Sequence, residues 1–206
     1  STKAEKVEGG YKINGTKTWT TMAHFADMMF ILVRTNSDCK PQEGISFMLL
    51  DMKSPGVSVK PIITLDGSHY INMVYLEDVF IPHENLIYEE NKGWTVAKYL
   101  LGHERTNNAQ VASSKKALSK IRKIAKLKIN GTYSLSEDKR FIDKLANCDL
   151  RVQALEYDLI KVISNEIKGI SPGVEANMLK IRGSEIQQEI TELVLEASGY
   201  YANSIQ

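Results

Sequence analysis

The chain has 206 residues, 43% hydrophobic and 25% charged, with a formal net charge of +1. A chain of this size can bury a sizeable core without disulfide or metal staples, and its balanced charge argues against a general nucleic-acid binder. No apolar run approaches the roughly 18 residues of a membrane helix, and the polar residues 1–8 lack the apolar centre of a signal peptide.

The first part, residues 1–90, reads as strands and turns and holds four of the five prolines. Residues 10–21 look like two short strands around Asn14-Gly15, because Asn-Gly favours the positive φ of a hairpin turn. Short apolar or β-branched runs follow at 28–34, 45–51, 57–63 and 70–76, punctuated by Gly, Pro, Asp, Asn and Ser. Strands at that spacing predict an antiparallel sandwich or barrel. After about residue 92 the period changes to helical. A first helix is expected over 93–128 on Val96, Leu100, Val111, Leu118, Ile121 and Ile124, with Asn130-Gly131 as its stop. A second is expected over 136–168 on Phe141, Leu145, Cys148, Leu155, Leu159 and Val162. A third is expected over 171–198, opened by Pro172 and carried by Met178, Ile186, Ile190, Leu193 and Ala197. The fold class is thus segregated α+β: a β domain over 1–90, then long antiparallel helices over 91–206 that form part of a bundle.

Chemical motifs are sparse. The sequence has no Gly-x-Gly-x-x-Gly, phosphate loop, Gly-x-Ser-x-Gly or His-Glu-x-x-His. Cys39 and Cys148 are far apart and His24, His69, His83 and His103 do not cluster, so no metal site is expected. Two thiols without a leader fit a cytoplasmic protein. Residue types alone leave Trp19 and Thr21 as either packed strand residues or ligand contacts. A helical Glu such as Glu104 is ordinarily solvated, although its spacing from Leu100 and Val111 sets it beside the apolar face of a continuous helix.

The stretch Gly9-Gly-Tyr-Lys-Ile-Asn-Gly-Thr-Lys-Thr-Trp-Thr-Thr21 resembles the middle β domain of the acyl-CoA dehydrogenase family. The likeness continues in family order through Gly44-Ile-Ser-Phe-Met-Leu-Leu-Asp51, Tyr75-Leu-Glu-Asp-Val-Phe-Ile-Pro-His-Glu-Asn-Leu86, Asn91-Lys-Gly-Trp94 and Glu104-Arg105. It implies a piece of that family: the second half of the middle β domain and about three helices of a C-terminal four-helix bundle. It also implies an FAD enzyme that removes two hydrogens from an acyl-CoA thioester and passes electrons to an electron-transfer flavoprotein, working as a homo-oligomer (dimer or tetramer) or a heteromer.

Trp19 and Thr21 match the family's flavin-contacting pair, and Thr20 between them is expected to contribute through its backbone. Glu104 matches the base of the minority of members that carry it on this earlier helix, where partial desolvation would suit proton abstraction. Arg105 is expected to order the site through its planar fork of donors. Ser68-His-Tyr-Ile-Asn72 falls where the family often nears the CoA or cofactor channel, and reads equally as a polar turn. The basic residues Lys115, Lys116 and 120–128 suit either CoA phosphates and an acidic partner or a solvated helix face.

The pattern also breaks. Residues 126–137 carry no Arg-x-x-Phe-Gly, and Glu196 stands in the segment where many members have Gln-x-x-Gly-Gly beside FAD. Lys180-Ile-Arg-Gly-Ser-Glu-Ile-Gln-Gln188 resembles a divergent branch that takes unusual acyl-CoA substrates. Two alternatives follow: a non-catalytic subunit of a heteromeric dehydrogenase, or an acyl-CoA oxidase.

Overall fold

The computed structural model describes residues 2–104, 109–127, 134–170 and 173–203. The chain divides into two compact units, Ser1–Leu100 and Leu101–Gln206.

The first unit is one seven-stranded sheet: β1 (Lys3–Val7), β2 (Gly10–Thr21), β3 (Met28–Arg34), β4 (Ile45–Asp51), β5 (Val57–Ile62), β6 (Ile71–Pro82) and β7 (Leu86–Ile87). Their spatial order is β5-β6-β2-β1-β3-β4-β7. Neighbours pair antiparallel except β1 and β3, which meet in parallel at Lys3 and Arg34. Inward residues of β2, β3, β4 and β6 share one core: Tyr11 and Ile13, Ile31 and Val33, Met48 and Leu50, Val74, Leu76, Val79 and Ile81. β4 touches β6 although three strands separate them in the sheet, so the sheet curls over its own core.

Two expectations for this unit need correction. The polar segment of β1 escaped the strand reading, yet it forms the real hairpin with β2 through the two-residue turn Glu8-Gly9, where Gly9 has φ 80°. Asn14-Gly15, expected to turn the chain, lies inside the unbroken strand β2. Its side chain serves a bulge on the neighbouring strand: Asn14 Oδ1 accepts from the Asp78 backbone N–H at 2.8 Å, and Asn14 Nδ2 donates to Asp78 Oδ1 at 2.8 Å. That bulge puts Leu76 and Val79 on the same inward face despite their odd spacing. Gly15 is required because a Cβ there would come within 2.6 Å of the Cα of Thr2, the residue before β1.

Tyr11 joins this sheet to the segment after β7. Its hydroxyl donates to Glu90 at 2.9 Å, and Lys6 pairs with the same carboxylate at 3.1 Å. Burial, reinforced by the Glu90 hydrogen bond and charge, pushes the Tyr11 phenol up to about 12.

The second unit takes its order from helix faces. The first expected helix is two: α1 (Gly93–Glu104), most of which belongs to the first unit, and α2 (Val111–Ala125) in the second, with Gln110 in the left-handed region at φ 49°. Then come α3 (Lys139–Ile167) and α4 (Val174–Ser198). Along α4 the buried positions are 176, 179, 183, 186, 190, 193 and 197, alternating steps of three and four as a packed seam requires. The seams of α2 and α3 complete the core with Leu118, Ile121, Phe141, Leu145, Cys148, Val152 and Leu155.

Ion pairs report the directions. Lys115–Glu156 and Arg122–Asp149 run α2 against α3, while Lys144–Glu196 and Arg151–Glu189 run α3 against α4. In each set one number rises as the other falls, so both neighbours are antiparallel. These exposed pairs are worth about 0–1 kcal/mol each; the seam carries the stability and the charges select the register.

Two outcomes follow. The neutral Tyr11 phenol is the form that the folded state favours, so its contribution is complete below about pH 10. It declines between about 10 and about 12, where the unfolded chain ionises first. Urea unfolding over that window will show the decline in the parent and a flatter profile in Tyr11→Phe. Ile121→Ala, at a fully buried position, will lower the unfolding free energy by about 2–5 kcal/mol.

Candidate functional site

The last third of β2 is the most unusual backbone in the sheet. Between the Lys17–Val74 and Thr20–Asn72 pairs, β2 spends one residue more than β6. The surplus is taken up at Trp19, whose φ is 62°, and Met22 follows at φ 57°. Left-handed backbone costs a side-chain-bearing residue about 1–2 kcal/mol, so the surroundings must impose it. The Met22 N–H donates to the Tyr70 carbonyl at 2.7 Å, and Asn72 Nδ2 donates to the Thr20 carbonyl at 3.1 Å. The result is that the Trp19 indole is 67% exposed, Thr21 is exposed and Thr20 is half-buried.

Beside this segment, β2 and β3 part into a groove of about 480 Å³ lined by Lys17, Thr18, Thr20, Thr21, Met28 and Phe30 among others. Lys17 spans the gap, its Nζ donating to the Leu32 carbonyl at 2.6 Å, and burial lowers its pKa. Its lining combines apolar walls with threonine hydroxyls, a surface that suits a flat ring, and the exposed Trp19 indole lies on the same strand but outside that lining.

Behind the strand, Asn72 is fully buried and bonds to two histidines. Its Nδ2 lies 3.1 Å from His24 Nδ1, and its Oδ1 lies 2.8 Å from His69 Nε2. The two imidazoles stack at 4.1 Å between centroids. The loop before β6 is organised by Asp66, whose carboxylate accepts from the Thr64 hydroxyl, from the Ser68 hydroxyl and N–H, and from the Tyr70 hydroxyl. These donors, Thr64 foremost, hold the Asp66 carboxyl well below the usual carboxylate range. Part of the turn flagged at Ser68–Asn72 is therefore built structure. His24 was not singled out in sequence, because nothing local links it to residues about 45 positions away.

Glu104 is the last residue of α1 and is exposed. Its expected seven-residue relation to Val111 fails, because α1 ends there and α2 starts afresh. The desolvation expected of a base is not supplied to Glu104 by the described residues. Arg105 and Asn108 lie outside the described residues, as do 128–133 and Pro172. Glu196 is held by Lys144 at 2.9 Å, which offsets the charge that would face a phosphate. Lys115 and Arg122 are likewise engaged, with Glu156 and Asp149. Among the described residues no group of three or more His, Cys, Asp or Glu could hold a metal ion, and no helix is long and apolar enough to cross a membrane.

The acyl-CoA dehydrogenase middle-domain model matches residues 1–79, and the acyl-CoA dehydrogenase C-terminal-domain model matches residues 91–204. The chain belongs to the acyl-CoA dehydrogenase family.

It is 29% identical over 197 residues to the acyl-CoA dehydrogenase FadE34 of Mycobacterium tuberculosis, covering 96% of this chain and 27% of that protein. It is 29% identical over 209 residues to subunit CarC of the caffeyl-CoA reductase–Etf complex of Acetobacterium woodii, covering 98% of this chain and 54% of that one. Among solved structures, the ChsE4–ChsE5 complex from Mycobacterium tuberculosis contains a chain that matches with a TM-score of 0.86 and 30% identity, over 100% of this chain and 53% of that one. The chain thus spans between about a quarter and about half the length of these relatives.

The strain at Trp19 gives a direct test. Trp19→Gly will be more stable to urea than Trp19→Ala by about 1 kcal/mol, because glycine adopts positive φ without a Cβ clash.

Proposed function

We propose that the native protein is an FAD-dependent acyl-CoA dehydrogenase that converts an acyl-CoA thioester to the trans-2-enoyl-CoA. The observation that carries this reading is the outward Trp19 and Thr21 on a bulged strand, in a chain of this family. In it, Trp19 and Thr21 would hold the flavin, the exposed indole offering an aromatic face and the Thr21 side chain a hydroxyl donor. FAD, when bound, would supply the acceptor for the hydrogen that leaves the β carbon with its electron pair.

Glu104 takes the α proton on its carboxylate, and Arg105 orders the carboxylates around it. As an exposed side chain in this chain, Glu104 would gain its catalytic environment when substrate displaces water around it. Electrons then pass to an electron-transfer flavoprotein, a partner suggested by the Etf complex to which the CarC relative belongs. The native assembly is an oligomer. A heteromer is favoured by the likeness to the ChsE4–ChsE5 complex, with a homodimer or homotetramer as the alternative. The free thiols Cys39 and Cys148 fit a reducing, cytoplasmic setting.

A second reading, a non-catalytic subunit of a heteromeric dehydrogenase, is favoured by the Glu196–Lys144 pair standing in the segment where many members have a Gln beside the cofactor. An acyl-CoA oxidase would share the dehydrogenation step and differ by releasing peroxide under air.

The purified native protein, in its full assembly, is tested by its visible spectrum and by anaerobic titration with a panel of acyl-CoA thioesters. A flavin band that bleaches with one thioester supports the dehydrogenase, and its absence after reconstitution with FAD favours the non-catalytic subunit. Glu104→Gln is expected to lower turnover by about 10²–10⁴-fold while leaving the flavin band in place. Unchanged turnover removes Glu104 as the base.

A further inference from the structure

Along β6 the inward residues run Asn72, Val74, Leu76, Val79 and Ile81. Asn72 is the polar member of an otherwise apolar series and is 0% exposed. A buried side-chain amide is costly unless its donors and acceptor are matched. Here all are: the two Nδ2 hydrogens serve the Thr20 carbonyl and His24 Nδ1, and Oδ1 receives His69 Nε2.

The Thr20 carbonyl settles the chemistry. A carbonyl oxygen only accepts, so the amide edge 3.1 Å from it must be the NH2 edge. That orientation obliges His24 Nδ1 to present a lone pair and His69 Nε2 to carry a proton. His24 is therefore the neutral imidazole protonated at Nε2, since a hydrogen on Nδ1 would oppose the Asn72 N–H. The stacking of His24 on His69 at 4.1 Å favours the same state, because two imidazolium rings in that arrangement repel.

The consequence reaches the other side of β2. In a trans peptide the C=O and the following N–H point in opposite directions. Fixing the Thr20 carbonyl toward Asn72 therefore aims the Thr21 N–H away from β6. The fixed peptide lies between the two left-handed residues Trp19 and Met22, where the strand has least intrinsic preference for its conformation.

We infer that Asn72 is a positioning residue: it locks the Thr20–Thr21 peptide, and so the aim of Trp19 and Thr21, by an amide whose orientation is shared with a neutral His24 and a protonated His69 Nε2. The role toward a flavin rests on the proposed function; the tautomers do not.

The test uses the native holoprotein. In the parent, nitrogen-15 NMR of the imidazoles is expected to show His24 Nδ1 without a proton and His69 Nε2 with one. A proton on His24 Nδ1 overturns the inference without any variant. Asn72→Asp keeps the shape but replaces the donor edge by oxygen. It is expected to place a proton on His24 Nδ1, which then faces an oxygen in place of the amide N–H, and to alter the visible circular dichroism of the bound flavin. It is also expected to slow flavin reduction about ten- to hundredfold while the KM for acyl-CoA changes much less.

Trp19→Ala is the companion. If it alters the flavin dichroism and Asn72→Asp does not, the positioning role fails and the flavin site stands. If neither alters it, the placement of the flavin on β2 fails, and the positioning role fails with it. Should Asn72→Asp not fold, the parent tautomers decide.

Discussion

The first unit depends on the pairing of β2 with β6, two twelve-residue strands that carry bulges of opposite sense. The bulge on β6 at Glu77 and Asp78 keeps Leu76 and Val79 both facing the core. The bulge on β2 at Thr18 and Trp19 does the reverse job, turning a large aromatic out of the sheet. Each irregularity is satisfied by a side-chain amide from the opposite strand, Asn14 for the first and Asn72 for the second. Two asparagines thus allow one strand pair to serve the core at one end and a ligand face at the other.

The helical unit solves a simpler problem. Three helices bury seams with three-and-four spacing, and antiparallel neighbours place opposite charges side by side. The pairing of Glu196 with Lys144 belongs to this register. It shows how a residue that departs from the family pattern is accommodated: its charge is spent within the bundle. The same holds for Lys115 and Arg122, which looked like a basic surface in sequence and prove to be half of two interhelical ion pairs.

What was legible in sequence follows from period. Phe141, Leu145, Cys148 and Leu155 announce a helix face because helical neighbours sit three and four apart, and all four are buried; between Leu150 and Val152 the period alone does not choose, and the structure buries Val152. The runs at 28–34 and 45–51 are strands over those same residues. β1 was not legible: its Lys-Ala-Glu-Lys-Val sequence has little apolar character, and it is a strand because β2 offers it a partner. The break between α1 and α2 was missed because Leu100 and Val111 were joined into one helical period, although residues 102–108 between them carry no large apolar side chain. Local Asn-Gly chemistry misled at Asn14, where tertiary pairing outweighed turn propensity.

By itself, the sequence determined the family, the change from strands to helices near residue 92, and the residues worth suspecting at Trp19, Thr21 and Glu104. Those depend on residue identity and short-range spacing, which are one-dimensional properties. Only the tertiary structure decided that Trp19 faces outward from a left-handed bulge, and that Asn72, His24 and His69 form one hydrogen-bonded cluster behind it. A buried amide must find donors and acceptors wherever the fold brings them, and here the fold brings them from segments nearly fifty residues apart.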